Sequence, residues 1–414
     1  MRFFDWINNL GATAMLPIIM FIMAVAFRVK VGQALKSAIR VGIGIFGLNM
    51  MIDVAINNIM PVGMGLAERT GINLPIIDGG VGVEILAAFN FKYAGLMIPL
   101  GILLNVVMLV LRWTKTVNVD IWNFWSWLLS AQLVYLVTHS YVWAWVAFFA
   151  TGALSLIIGD KQAPKMQEAY GLEGISFCHP VSTVYALPAP LFNKIFDAIG
   201  LDKVKADPMS LQAKLGMFGD TTVIGAIIGF VLALISGLGV GVALQTAIAF
   251  AAIIILFPQV ISYLTEGLVP ISNAARNLLQ KKYGDKEYYI GLDAAVGVGQ
   301  PANIVTNVLF IPILFVLAAV LPGSLVLPAG CIAVHSGFMI SAAMPYFDNN
   351  ILKGVLYLVI MYSVALYGAT WVAPLYTEAY LAGGGVIEAE GTLITTASPY
   401  LWSVLMAWVA KLFV

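Results

Sequence analysis

The sequence predicts an all-α integral membrane protein with about eleven transmembrane helices in two inverted-topology repeats, plus re-entrant hairpins. Three observations carry this expectation. The 414 residues are 61% hydrophobic and only 10% charged, against roughly 25% charged in a soluble domain; mean hydropathy is +0.94. Long apolar runs recur along the whole chain. Matching segments appear in both halves, and the loops beside them carry opposite charge patterns.

The apolar runs fall at about 13–27, 41–60, 94–111, 127–158 (long enough for two spans), 221–235, 244–264, 304–321, 329–346, 354–373 and 398–414. A crossing helix needs about 20 apolar residues, with a range of about 17–25, so the shorter runs imply tilt or partial helices. An outer-membrane barrel would show alternating segments of roughly 10 residues, and the sequence has none. The N-terminal stretch lacks a small-residue cleavage site and reads as a retained first helix. Net charge is zero, so no nucleic-acid partner is expected. Cys178 and Cys331 lie in apolar surroundings without metal-ligand spacing, which reads as buried and unreactive.

The repeat is visible in five ordered matches. "VGQALKSAI" (31–39) lines up with "VGVALQTAI" (240–248), "GATAML" (11–16) with "GDTTVI" (219–224), and "IMPV" (59–62) with "LVPI" (268–271). "DGGVGVE" from Asp78 faces "DAAVGVGQ" from Asp293, and "IPL" (98–100) faces "IPI" (311–313). The offsets drift only from 208 to 215 residues, as a duplicated half would give.

The loop charges set its direction. Arg28, Lys30, Lys36 and Arg40 face the uncharged "SGLGVGVALQ"; the next loop reverses this, with "GLAERTGINLP" against Arg276, Lys281, Lys282 and Lys286; the third reverses again, Arg112 and Lys115 against "PGSLVLP". Lys and Arg concentrate on the cytoplasmic side, so equivalent loops lie on opposite sides, as in inverted-repeat transporters. Repeat one then covers about 10–200, repeat two about 215–397, and a final helix 398–414, all within one membrane domain. The N-terminus is expected outside and the C-terminus inside. Segment 172–196, broken by Pro180, Pro188 and Pro190, starts and ends inside and reads as a re-entrant hairpin; its expected counterpart is 372–397. Such backbone is tolerated at depth only when buried in protein or lining a cavity.

Ionisable groups in apolar segments are costly and are read first as functional. Asp78 and Asp293 pair an acid with glycine-rich backbone at matching positions, which fits a midplane binding site; the plainer alternative is helix capping and helix packing. Glu84 closes the first phrase and Gln300 the second. Glu266 either meets substrate hydroxyls, as carboxylates do by accepting paired hydrogen bonds, or faces water at a helix end. Asp220 reads as an N-cap. His179, at the tip of the 172–196 segment, either bridges hydroxyls or is a satisfied structural histidine. In "NVDIWNFWSW" the aromatics read as an interfacial belt, with Asp120 and Asn123 free to turn toward a cavity. Gln300, Asn303 and Asn307 stand on one helical stripe, suited to hydroxyl recognition or to hydrogen bonds between helices. No nucleotide-binding, redox or haem pattern is present, so no cofactor is expected and transport is passive, ion-coupled or driven by a partner.

At "VNVDIWNFW", "LEGISFCHP", "GMFGDTTVIG", "TEGLVPIS", "EYYIGLDAAVGVGQPANIV" and "LPGSLVLPAG", the chain resembles the membrane-embedded IIC component of phosphotransferase-system sugar transporters, of the galactitol type within the ascorbate–galactitol superfamily. The resemblance runs from about residue 10 to 375. It implies an inner-membrane homodimer in which a substrate-holding core moves against a scaffold. It also implies a separate cytosolic EIIB carrying phosphate on a cysteine, an EIIA that supplies it, and a polyol such as galactitol as substrate, with the phosphoryl chemistry done by EIIB. Carried over by position, it implies substrate contacts at Asp78, His179, Glu266, Asp293 and Gln300, although the family pattern often has His at the position of Gln300 and offers no counterpart for Glu84. The other reading of the same architecture is an ion-coupled secondary transporter of a small polar solute.

Overall fold

Within a bilayer core no water satisfies backbone N–H and C=O groups, so an apolar chain must pair them internally. The computed structural model describes residues 11–414 except 72–73, 119–121, 205, 209, 211–212, 214–215, 284–286, 293, 329–331, 388–390 and 397–399, and it is mostly helical. In chain order come α1 (Gly11–Ala26), α2 (Val31–Thr70), β1 (Ile76–Asp78), α3 (Gly80–Phe89), α4 (Met97–Val110), β2 (Thr116–Asn118), α5 (Trp122–Thr138), α6 (Tyr141–Tyr170), β3 (Ile175–Phe177), α7 (Pro180–Ala186) and α8 (Ala189–Ala198). There follow α9 (Thr221–Ile235), α10 (Gly239–Tyr283), β4 (Tyr289–Leu292), α11 (Ala295–Val298), α12 (Pro301–Val320), β5 (Val326–Leu327), α13 (Ile332–Ala343), α14 (Ile351–Ala382), β6 (Leu393–Thr395) and α15 (Leu401–Lys411). Among the described residues, four of these helices are each long and apolar enough to cross a membrane, or five if the pair Gly82–Phe89 and Ala94–Val110, bent by 95°, is one span.

The helices divide into two groups. α1 packs on α2, α9 on α10, and α2 on α10. α2 and α10, of 40 and 45 residues, lie antiparallel and close: a Cβ on Gly44 would fall 2.8 Å from Leu264, on Gly47 2.9 Å from Val260, and on Gly267 2.7 Å from the Ser37 carbonyl oxygen. Small residues allow this approach, the usual way helices associate where no hydrophobic drive separates them from lipid. α2 stops where Gly71 turns left-handed (φ 67°) and its N–H bonds the Glu68 carbonyl, a helix end that glycine adopts without a Cβ clash. Asp220 caps α9, accepting from the N–H groups of Thr222 and Val223 at 2.8 and 3.3 Å.

The second group surrounds two small sheets that an all-α expectation omits. β1 lies between β5 and β6, all parallel, with Ile76 opposite both Val326 and Leu393 and Asp78 opposite Thr395. β4 lies between β2 and β3, also parallel, with Gly291 opposite both Asn118 and Ser176. Each central strand is thus flanked by strands from the other end of the sequence.

One expectation is corrected, the counterpart of segment 172–196. Segment 172–196 is β3, then α7 with Pro180 in its first turn, then most of α8. Its expected counterpart does not mirror it, because residues 372–382 continue α14 through Pro374 without a break in the helix. Proline is tolerated there because neighbouring helices re-satisfy the freed backbone. The strand-then-helix order of β3 and α7 recurs instead at β6 and α15. α15 runs beside α5 in the same direction, with Ser403 Oγ 2.9 Å from Ser130 Oγ and residues 406–414 sharing a surface pocket with Val134, Thr138 and Trp143. The last residues therefore lie beside the α5–α6 turn.

Candidate functional site

The polar residues of the second group gather where strands hand over to helices. β1 ends at Asp78, and α3 starts two residues later because Gly80 adopts φ 71°, a conformation that strains other side chains. Asp78 is fully buried and accepts from the Gly80 N–H at 3.0 Å, while Gly79 N–H bonds the Thr395 carbonyl at 2.9 Å. One turn into α3, Glu84 is also fully buried, and its Oε1 accepts from the Thr396 hydroxyl at 2.8 Å. The two acids of the first phrase thus both meet the β6 segment.

The other sheet is closed by amides. Asn105 of α4 donates to the Thr116 carbonyl at 2.8 Å and accepts from the Asn118 N–H at 3.0 Å. Asn123 donates to Asn118 Oδ1 at 2.8 Å and to Cys178 Sγ at 3.4 Å. Gly291 is held to glycine by the same sulfur, which lies 2.6 Å from where a Cβ would sit. At the loop edge of this sheet Lys115 donates to Glu287 at 2.7 Å, a bond that raises the lysine and holds the carboxyl below its ordinary range.

His179 caps α7, accepting from the Val181 N–H on Nδ1 at 3.3 Å. Its ring lies 5.7 Å from that of Tyr400, which lies 5.1 Å from Trp125. Trp402 donates to Thr183 Oγ1 at 3.1 Å, so α5, α7 and α15 meet around one buried aromatic and polar junction.

The remaining expected residues are distributed unequally. Asn303 is buried and donates to the Gly297 carbonyl at 2.6 Å and to the Tyr170 hydroxyl at 3.1 Å. With Asn307 it borders a small pocket whose opposite wall is Ile59, Phe250, Ile253 and Phe257 of the long helices. Gln300 is exposed at the start of α12 and makes no side-chain cap, so it does not repeat the buried placement of Glu84. Glu266 is half-exposed and paired with Arg40 at 3.6 Å, which ties it to the α2–α10 pair and not to the junctions. Asp120 and Asp293 lie outside the described residues. Asn105, Asn118, Thr396, Trp125 and Tyr400 were not anticipated. Asn105 had a signal, a lone amide in an apolar run, whereas Thr396 had none, since its partner is 312 residues away.

Residues 6–389 match the EIIC-GAT family model, described as a PTS system sugar-specific permease component. The chain is 36% identical to an Escherichia coli K12 protein described as a permease IIC component, over 95% of this chain and 90% of the relative. It is 32% identical to the PTS system galactitol-specific EIIC components of E. coli K12 and of E. coli O157:H7, in each case over 96% of this chain and 88% of the relative. With this match over nearly its whole length, and with helices long and apolar enough to cross a bilayer, the chain is a multi-pass membrane protein and belongs to the EIIC-GAT family of PTS sugar-specific permease components.

Proposed function

We propose that the protein is the permease of a phosphoenolpyruvate-dependent phosphotransferase system in the bacterial inner membrane, carrying galactitol or a similar polyol inward for phosphorylation by a separate EIIB supplied by EIIA. The observation that carries the reading is the 32% identity, over 96% of the chain, to galactitol-specific relatives, joined to buried carboxylates and amides at broken backbone. Asp78, Glu84, Asn123, His179 and Asn303 supply buried acceptors and donors for a hydroxyl-rich solute; Asp293, Asp120 and Gln300 complete the proposed set. Glu266 would contribute only if the paired long helices move relative to the junctions. Phosphorylation removes the substrate from the transport equilibrium, so no nucleotide site is needed.

We also propose ten spans, five in each of two inverted repeats, with the expected eleventh, 398–414, a re-entrant element instead because it runs beside α5 to the α5–α6 turn; a homodimer in lipid; and both termini outside, where the sequence alone suggests the C-terminus inside. Supporting the repeat, left-handed backbone recurs at nearly constant separation: Arg28 with Gly237, Arg112 with Gly323, His139 with Asp348, Gly171 with Gly384, and Gly174 with Gly391. The last pair, each just before its strand, extends repeat two beyond 397 to include α15 as the counterpart of α7.

Uptake of labelled galactitol into vesicles tests the function. Accumulation as a phosphate ester that requires phosphoenolpyruvate and EIIB is the expected result. Accumulation of free polyol that collapses with the proton or sodium gradient would replace this reading with an ion-coupled carrier.

A further inference from the structure

α7 carries an unexplained row of polar atoms. His179, Ser182 and Tyr185 are at most 2% exposed, yet His179 Nε2, Ser182 Oγ and the Tyr185 hydroxyl have no hydrogen-bond partner among the described residues. At 3.6 residues per turn, steps of three residues place these groups within an arc of about 120°, each about 4.5 Å further along the axis. The same helix shows that its polar groups are satisfied where the fold needs them: Thr183 Oγ1 donates to the Pro180 carbonyl at 3.1 Å and accepts from Trp402 at 3.1 Å. Buried polar groups are nearly always paired, and those that are not call for a cause outside packing.

We propose that His179, Ser182 and Tyr185 form the face on α7 that recognises the hydroxyls of the transported polyol, with Ser182 and Tyr185 as its specificity-determining residues. This rests on the permease reading above. Because Nδ1 of His179 accepts from the Val181 N–H, the neutral ring carries its proton on Nε2, which donates along the arc. Ser182 and Tyr185 each donate and accept, and a polyol, with a hydroxyl on every carbon, does the same. The row also leads somewhere. The Tyr185 carbonyl accepts from the Tyr357 hydroxyl; one turn away on α14, the buried Lys353 bonds Asn193 at 2.8 Å and Asp197 at 2.6 Å, and Asp197 is 41% exposed. The polar column therefore runs from the strand junction to an exposed edge of the protein. Its three α7 groups are uncharged, so the face suits the free polyol and opposes burial of a phosphate ester, whose charge would go unpaired. That property favours one-way delivery.

The test is galactitol binding to the full-length protein in detergent, followed by titration calorimetry and by thermal shift, for the parent, Ser182→Ala and Tyr185→Phe. Each substitution is expected to weaken affinity about five- to tenfold, the effect of one lost neutral hydrogen bond, while the unliganded melting temperature holds or rises because an unpaired hydroxyl has been removed. Parent-like affinity in both variants overturns the inference and leaves the permease reading intact. Absence of galactitol binding by the parent, together with no PTS-dependent uptake, overturns both. If one variant does not fold, the other decides. If neither folds, the inference fails as well, since a hydroxyl the fold depends on is already satisfied by the protein.

Discussion

The Thr396 hydroxyl donates to Glu84 Oε1 at 2.8 Å, with both side chains buried, so a residue just after β6 anchors the acid on α3. Thr396→Val keeps the volume and removes the donor. Unpairing a buried acceptor costs about 1–3 kcal/mol, so the midpoint of unfolding in detergent should fall, while Thr396→Ser should stay near the parent. Equal midpoints for the Val and Ser variants would show that the bond contributes nothing.

Gly267 and Gly241 sit on the same helix in opposite circumstances. A Cβ on Gly267 meets the Ser37 carbonyl at 2.7 Å and the Val41 backbone nitrogen at 2.8 Å, groups that cannot swing aside, while a Cβ on Gly241 meets nothing within 4 Å. Gly267→Ala should destabilise by about 1–3 kcal/mol through overpacking. Gly241→Ala should be neutral or gain up to about 1 kcal/mol of helix propensity. Thermal unfolding of the two variants side by side is the check.

Lys353 and Asp197 should respond asymmetrically. The Lys353 side chain is 5% exposed and that of Asp197 41%. Asp197→Ala strands a buried cation, whereas Lys353→Met leaves a carboxylate that still reaches water, so the aspartate variant should lose more, by about 1.5–3 kcal/mol. Equal losses in denaturant titrations would mean that the ammonium is not desolvated as its burial implies.

Cysteine labelling tests the sides. Lys161→Cys should react only from the cytoplasm, and Val142→Cys and Val414→Cys only from outside. Labelling of Val414→Cys from the cytoplasm while Val142→Cys reacts outside would contradict the direction of α15.

The long helices were legible because their register is written locally. The frame shared by 31–39 and 240–248 falls at the starts of α2 and α10, and the break inside 127–158 appears at His139, whose φ is 51°. The strands were not legible. "IID", "TVN" and "LIT" are three residues each, too short for a two-residue period, and TVN and ISF are buried at every position, which leaves no alternation to read. Pro374 misled for a related reason: whether a proline breaks a membrane helix depends on what packs against it, not on its neighbours in sequence. Of the candidate acids, Asp78 and Glu84 are buried as ionisable groups in apolar runs suggest, whereas Glu266 satisfies the same sequence criterion from a half-exposed position beside Arg40.

The interleaving of β1 with β5 and β6 has a consequence for how the protein is made. Synthesis proceeds at about 5–20 residues per second, and Glu84 leaves the ribosome 312 residues ahead of Thr396. For tens of seconds the first half therefore carries a strand with two open edges and two acids that lack their β6 neighbours. The nascent chain must hold these in water, against the insertion machinery or in a temporary pairing, and only the last few dozen residues release them. Truncation near the C-terminus should accordingly read out as a quality-control defect of the whole chain and not as the loss of one helix.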